Sequence, residues 1–195
     1  MKVTKEQAAA TRARILDEAA KLFRERGFSG IGVADLMKSI GLTHGGFYGH
    51  FRSKEALMAE ACQRAVSIML EEWNRVADAA PAKPLAAITV PYLSTRHRDR
   101  SGTGCLMAAL GPEVSRQAAP VRQVVTECLG SVLEFLARLT PGRSAAVKHK
   151  KAIVTFASMV GALVIARAVN DPKVSEEILE VVSASVAGSA AARRR

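Results

Sequence analysis

One stretch carries side chains and a spacing suited to chemistry on a partner: Gly41-Leu42-Thr43-His44-Gly45-Gly46-Phe47-Tyr48-Gly49-His50-Phe51. The chemistry is hydrogen bonding to a backbone brought close, not bond making. At about 100° per residue, His44, Gly45 and Tyr48 share one side of a helix and Phe47 lies away from it. That side holds small or hydrogen-bonding residues and no charge. Each interior glycine costs about 1 kcal/mol against alanine, so packing by Phe47 and Phe51 must hold the segment. No strand pattern precedes it and no Gly-Lys-Ser/Thr follows, which argues against a nucleotide phosphate loop. The alternative is a flexible Gly-rich surface loop.

Elsewhere the reactive residues are dispersed. No Ser/His/Asp, Cys/His or paired-carboxylate arrangement is visible, so no catalytic residue is assigned and an enzyme is not expected. Cys62, Cys105 and Cys128 are odd in number and far apart, and the four histidines are scattered. This pattern suggests no zinc site, disulfide framework or cofactor. Cys105 follows Gly102-Thr103-Gly104, in or beside the first turn of a predicted helix, with Arg98 and Arg100 close in sequence. Free N–H groups and the helix dipole there favour a thiolate. Oxidant or electrophile sensing through Cys105 is therefore one reading, and an apolar filler beside Leu106 is the other. Cys62 and Cys128 fall mid-helix and read as filler.

The elements that must position the Gly-rich stretch lie around it. Val33, Leu36, Met37 and Ile40 have the i, i+3, i+4, i+7 spacing of a helix. Gly41 can end it at positive φ, and Thr43 can cap the next helix through its hydroxyl. Two short helices joined by a tight Gly-containing turn make a helix-turn-helix, whose second helix enters the DNA major groove. Thr4 and Gln7 have capping-box spacing, so helix 1 is expected from near Lys5 to Gly27, burying Ile15, Ala19, Leu22 and Phe23. Its bases Arg12, Arg14, Lys21, Arg24 and Arg26 are expected to be mostly solvated.

On these residues the segment from Thr11 to Leu57 resembles the DNA-binding domain of the tetracycline-repressor (TetR/AcrR) family. The matching residues are Ile15 through Phe23, Gly27-Phe28, Val33 through Ile40, Gly41-Leu42-Thr43, Gly46-Phe47-Tyr48, His50-Phe51 and Ser53 through Leu57. Gly32 stands where that family usually has Ser or Thr, and it brings no hydroxyl. The resemblance implies that Thr43, His44, Tyr48, His50 and Lys54 contact DNA, mainly at phosphates, with close backbone approach at Gly45 and Gly46. It also implies a ligand-responsive regulator, most often a repressor. Such a regulator binds a palindromic operator on double-stranded DNA as a homodimer and is released by a small-molecule inducer. A DNA-binding architectural protein without ligand is the alternative.

Composition agrees with a polyanionic partner. The net charge is +10 with a pI near 10.0. Residues 1–54 hold 10 Lys/Arg against 5 Asp/Glu, leaving 18 against 13 for the other 141 residues. The N-terminal end thus carries more than twice the net positive charge per residue. Hydrophobic content of 49% argues against disorder. The N-terminus Met-Lys-Val-Thr-Lys-Glu lacks an apolar signal core. A cytoplasmic protein with no membrane partner is expected.

The strand signal is negligible, so an all-α fold is expected. It divides into a three-helix helix-turn-helix domain at 1–54 and a helical regulatory and dimerisation domain at 55–195. Ser53 caps a helix running to about Ala79, and Pro91 and Pro112 kink later ones. Ser94 through Gly104 reads as a polar loop whose bases could reach a phosphate, and Val121–Leu139 as a helix. Ala152–Ala166 is uncharged but short of the roughly 20 residues of a membrane span, so a helix buried on most sides is expected. Val174–Val186 is a last amphipathic helix. The tail ending Arg193-Arg194-Arg195 is expected to be disordered. The resemblance places a ligand pocket among the middle helices, with Trp73, Tyr92, Cys105, Met107, Phe135 and Phe156 as candidate walls. The last two helices are too apolar for exposure. Val160, Gly161, Val164, Ile178 and Val182 are assigned to a two-fold interface.

Overall fold

The computed structural model describes residues 4–188, and the arginine tail lies outside the described residues. Its regular elements are all helical: α1 (Lys5–Arg26), α2 (Val33–Ser39), α3 (His44–Phe47), α4 (Lys54–Ala79), α5 (Pro84–Tyr92), α6 (Thr95–Asp99), α7 (Leu106–Val114), α8 (Ala119–Leu139), α9 (Ala145–Ala168) and α10 (Pro172–Gly188). A 3-10 turn at Ser101–Thr103 joins α6 to α7.

The N-terminal three helices form as local chemistry dictates. Thr4 and Gln7 close the capping box at the start of α1, and Gly27 ends it at φ 78°. Gly41 turns the chain after α2 at φ 75°, a conformation glycine adopts without a Cβ clash. Ile15, Ala19, Phe23, Leu36, Met37, Phe47 and Phe51 close one small core over these helices. The α4 helix begins there, with Ser53 accepting from the Ala56 N–H, and then runs along α8 in the second layer.

Several boundaries differ from expectation. Ser94 through Gly104 is ordered helix and 3-10 turn, because Ser94 accepts from the His97 N–H and so nucleates α6. Two of its four bases, His97 and Arg98, bond inward, while Arg96 and Arg100 are exposed. Arg98 pairs with Asp99 and donates to Ser175 Oγ at 2.8 Å, while Arg167 of α9 donates to the carbonyls of Arg98 and His97. The α8 helix starts earlier than expected because Pro120 fits the first turn, where its missing N–H is no loss.

The α9 helix is not buried on most sides. It packs on α8 and α10, yet Ile153, Val154, Val164 and Ile165 are exposed. Among the described residues it alone is long and apolar enough, by length and composition, to cross a membrane. Its packing against α6, α7, α8 and α10 is that of a bundle member.

Candidate functional site

The first candidate surface is α3. Phe47 is fully buried and stacks on Phe51 with ring centroids 5.7 Å apart, which fixes a helix of one turn that its glycines would otherwise melt. The opposite face is open. Thr43, His44, Gly45 and Gly46 are exposed, and Tyr48 is 63% exposed. Tyr48 meets both Phe47 and His44 edge-on, at 5.2 and 5.7 Å, so its ring is propped outward rather than free to fold down. A Cβ at Gly45 would meet nothing within 4 Å, so this face is flat backbone. Thr43 is the N-cap residue, but its hydroxyl makes no capping bond; it stays available to a partner. His50 is half-buried at the end of the turn.

Lys54 differs from the other six candidate DNA-contacting residues. Its ammonium donates to the carbonyls of Phe28 at 2.5 Å and Ile31 at 2.7 Å. Two of its three donors therefore tie the α1–α2 turn to the start of α4, leaving one for a phosphate. The helix 1 bases are likewise more engaged than expected. Arg12 pairs with Glu60 and lies over the Phe51 ring, Arg14 donates to the Ile40 carbonyl, and Arg24 donates to the Gly102 carbonyl. Lys21 and Arg26 remain exposed.

The second candidate site is a cleft of about 270 Å³ between α4, α5 and the α6–α7 connection. Trp73, Tyr92 and Cys105 all line it, as the sequence suggested, together with Arg24 and His97. Phe135 touches the far side of Trp73, at 5.8 Å, and opens instead on an outer groove between α8 and α9. Met107 and Phe156 border a separate void of about 10 Å³, which Cys105 also touches. The six predicted walls thus divide among three places. Side-chain type predicted their burial; helix packing decided which face of each meets a cavity.

Of the two readings of Cys105, the structure favours the apolar filler. The residue is the N-cap of α7, but it is only 2% exposed, and its backbone N–H is spent on His97 Nε2 at 3.0 Å. Arg98 turns instead to Asp99 and Ser175, and Arg100 is exposed. An exposed thiol does not result. Cys62 is buried as expected, and burial pushes its thiol up to about 12.

His97 was not singled out by sequence, yet it organises the cleft. Its Nε2 accepts from the Cys105 N–H, so the ring proton sits on Nδ1, which donates to the Tyr92 carbonyl at 2.7 Å. Burial holds its pKa below the usual histidine value. The ring also meets Tyr92 edge-on at 4.5 Å. The signal for it was faint: a histidine five residues before a Gly-Thr-Gly-Cys turn.

Besides the Arg12–Glu60 and Asp17–Arg64 pairs on α4, two contacts join the three-helix head to the α6–α7 segment. Arg24, in the last turn of α1, donates through Nε and Nη2 to the Gly102 carbonyl at 2.9 and 2.5 Å. Glu113 of α7 accepts from the Phe28 N–H at 2.8 Å. Both partners on the second layer flank the cleft's lining segment. Among the described residues no group of three His, Cys, Asp or Glu could hold a metal ion.

Comparison with known proteins places this geometry. The model of the bacterial regulatory proteins, tetR family, matches residues 15–61. The chain is 33% identical over 85 residues to the transcriptional regulator AcrR of Shigella flexneri, covering 44% of this chain and 40% of that one. It is 27% identical over 131 residues to the transcriptional repressor NemR of Escherichia coli, covering 66% of each. The crystal structure of reduced E. coli NemR superposes with a TM-score of 0.75 at 25% identity, over 91% of this chain and 95% of that one. The matches span between 30% and 67% of the curated relatives' own length. These relatives are named as regulators and repressors, not as enzymes.

Proposed function

Because the chain belongs to the TetR family of bacterial regulatory proteins, we propose that it is a ligand-released transcriptional repressor that binds a near-palindromic operator as a homodimer. Residues 1–54 serve as the reading head and residues 55–195 as the regulatory and dimerising part. The observation that carries the reading is the open face of α3, with Tyr48 propped outward over a flat glycine backbone, on the most basic part of the chain. Thr43, His44, Tyr48 and His50 bond the phosphates, while Gly45 and Gly46 let the backbone approach the duplex. A cytoplasmic location follows from that role.

The dimer is formed by α9 and α10. Val154, Gly161, Val164, Ile165 and Ala168 make one stripe on α9, and Val174, Ile178 and Val181 make one on α10. Val160 and Val182, half-buried, border the stripes. A four-helix contact with a second copy covers both stripes and sets the distance between the two α3 helices.

Release is a population shift. A ligand in the Trp73–Tyr92 cleft acts only through unequal affinity for the two head spacings. The Arg24–Gly102 and Glu113–Phe28 bonds carry the difference, because they join the cleft's lining segment to the head. A sensor working through an exposed Cys105 thiol is disfavoured by its burial.

Selection of bound duplexes from a random pool, followed by footprinting, tests the function. The expected result is a two-fold-related sequence protected by a dimer. Protection independent of sequence would support an architectural protein instead and would overturn this reading.

A further inference from the structure

The Trp73–Tyr92 cleft holds buried hydrogen-bond donors that no oxygen or nitrogen of the described residues accepts. Tyr92 is 5% exposed, and its hydroxyl meets no acceptor in the protein better than the Cys105 thiol. Arg24 spends two nitrogens on one carbonyl, and its buried Nη1 has no partner. Among the described residues no carboxylate forms an ion pair with it, the neighbouring Glu25 acting only from a distance. Burial lowers its pKa, the mark of a cation partly stripped of water. Both groups interact with the Cys105 thiol, which is a weak acceptor. Arg167, whose Nη1 is also buried without a partner, adds positive charge near Tyr92. The one acid of the lining, Glu72, is already held by Arg75. The rest of the lining is largely apolar, with Ile68, Met69, Trp73, Val76 and Ile88.

Unmet buried donors are costly, and a desolvated guanidinium without an anion more so. An apolar wall ending in such donors has the polarity of a site for an amphiphile with an anionic end. Deepening the regulator reading above, on which it rests, we propose that this cleft binds a small amphiphilic carboxylate. The carboxylate takes the free donors of Arg24 and Tyr92, and the hydrocarbon body lies against Trp73 and Ile88. The position of Arg24 gives the binding a consequence. It belongs to α1 of the head, so the ligand's anion competes with the Gly102 carbonyl for the guanidinium and loosens the tie between α1 and the α6–α7 connection.

Trp73 is the sole tryptophan and lines the cleft, so its fluorescence reports occupancy without any DNA. Full-length protein is titrated with hexanoate, octanoate and decanoate, with the alcohols of the same chain lengths, and with octylamine. At least one carboxylate is expected to change Trp73 emission saturably and to bind about tenfold or more tighter than its alcohol, with the amine weakest. Tyr92→Phe, which keeps the ring, should narrow the gap between acid and alcohol, and Arg24→Met should abolish it. Arg24→Lys, which keeps the charge, should retain part of it, so a simple packing defect at Arg24 is told apart. Equal binding of acid and alcohol, preference for the amine, or no saturable change with any carboxylate overturns the proposal. Operator binding is measured separately. A protein that binds operator but not carboxylate refutes this ligand class alone, whereas one that binds carboxylate but no operator refutes the regulator reading.

Discussion

The carboxylate of Glu113 accepts the backbone N–H of Phe28 at 2.8 Å across 85 positions of sequence. Gly27, at φ 78°, turns the chain so that this N–H faces α7, and a side chain at Gly27 would collide with the Glu113 carboxylate. The bond therefore needs both the glycine turn and the placement of α7 beside α1. Glu113→Ala leaves the amide without its partner. Hydrogen exchange at Phe28 should accelerate, and global stability should fall by about 1–2 kcal/mol. Phe28 protection unchanged in the variant would show that the bond does not hold the two layers together.

The two ends of the candidate DNA surface should respond differently to truncation. Tyr48→Ala removes an exposed ring and should weaken operator binding at least several-fold while the melting temperature holds. Lys54→Ala removes two charge-assisted bonds to the Phe28 and Ile31 carbonyls. It should lower stability by about 1.5–3 kcal/mol, a fall of several degrees in a chain of this size. Thermal melts beside mobility-shift titrations separate the two. A Lys54→Ala protein that melts like wild type would mean the ammonium serves DNA alone.

Stability should also depend on pH through His97. Its folded pKa lies below the ordinary 6.5, with burial as the main cause. The unfolded chain then binds the proton more readily than the folded one. Its contribution is fully present above about pH 6.5 and is lost as pH falls below that value toward the folded pKa. Protonation also puts a proton on Nε2, which ends its acceptance of the Cys105 N–H. Denaturant titrations at about pH 7.5 and pH 5.5 should show a loss in the wild type that His97→Leu, though less stable overall, reduces. Equal losses in both proteins would assign the pH dependence elsewhere.

Assembly has a test that spares the protomer. A Cβ at Gly161 would meet nothing within 4 Å in the single chain, so Gly161→Glu fits the folded protomer. In a dimer built on the α9 and α10 stripes it places an unpaired charge in an apolar contact, which costs several kcal/mol. Sedimentation should find the wild type dimeric at micromolar concentration and the variant monomeric, with matching helical circular dichroism. A variant that still dimerises would move the interface away from α9.

The sequence by itself determined the head. The Thr4–Gln7 capping box, the terminators Gly27 and Gly41, the apolar spacing of α2 and the Ser53 cap are local codes read within a few residues of where they act. Glycine tolerance of positive φ and hydroxyl capping need no distant partner, so α1, α2 and α4 fall where expected. What only the tertiary structure decided involves long-range contacts. Whether Arg24 is solvated or bonded to Gly102, and whether Lys54 faces a phosphate or two carbonyls, depends on elements tens of residues away. The same holds for Cys105, where the sequence left a reactive thiol and an apolar filler open and packing buries the residue beside His97. The reason is physical. Backbone capping and turn preferences are set by neighbours along the chain, whereas burial, ion pairing and cavity lining depend on which faces meet when α4, α5, α7 and α8 close. Helical periodicity gives each face its polarity but not its partner.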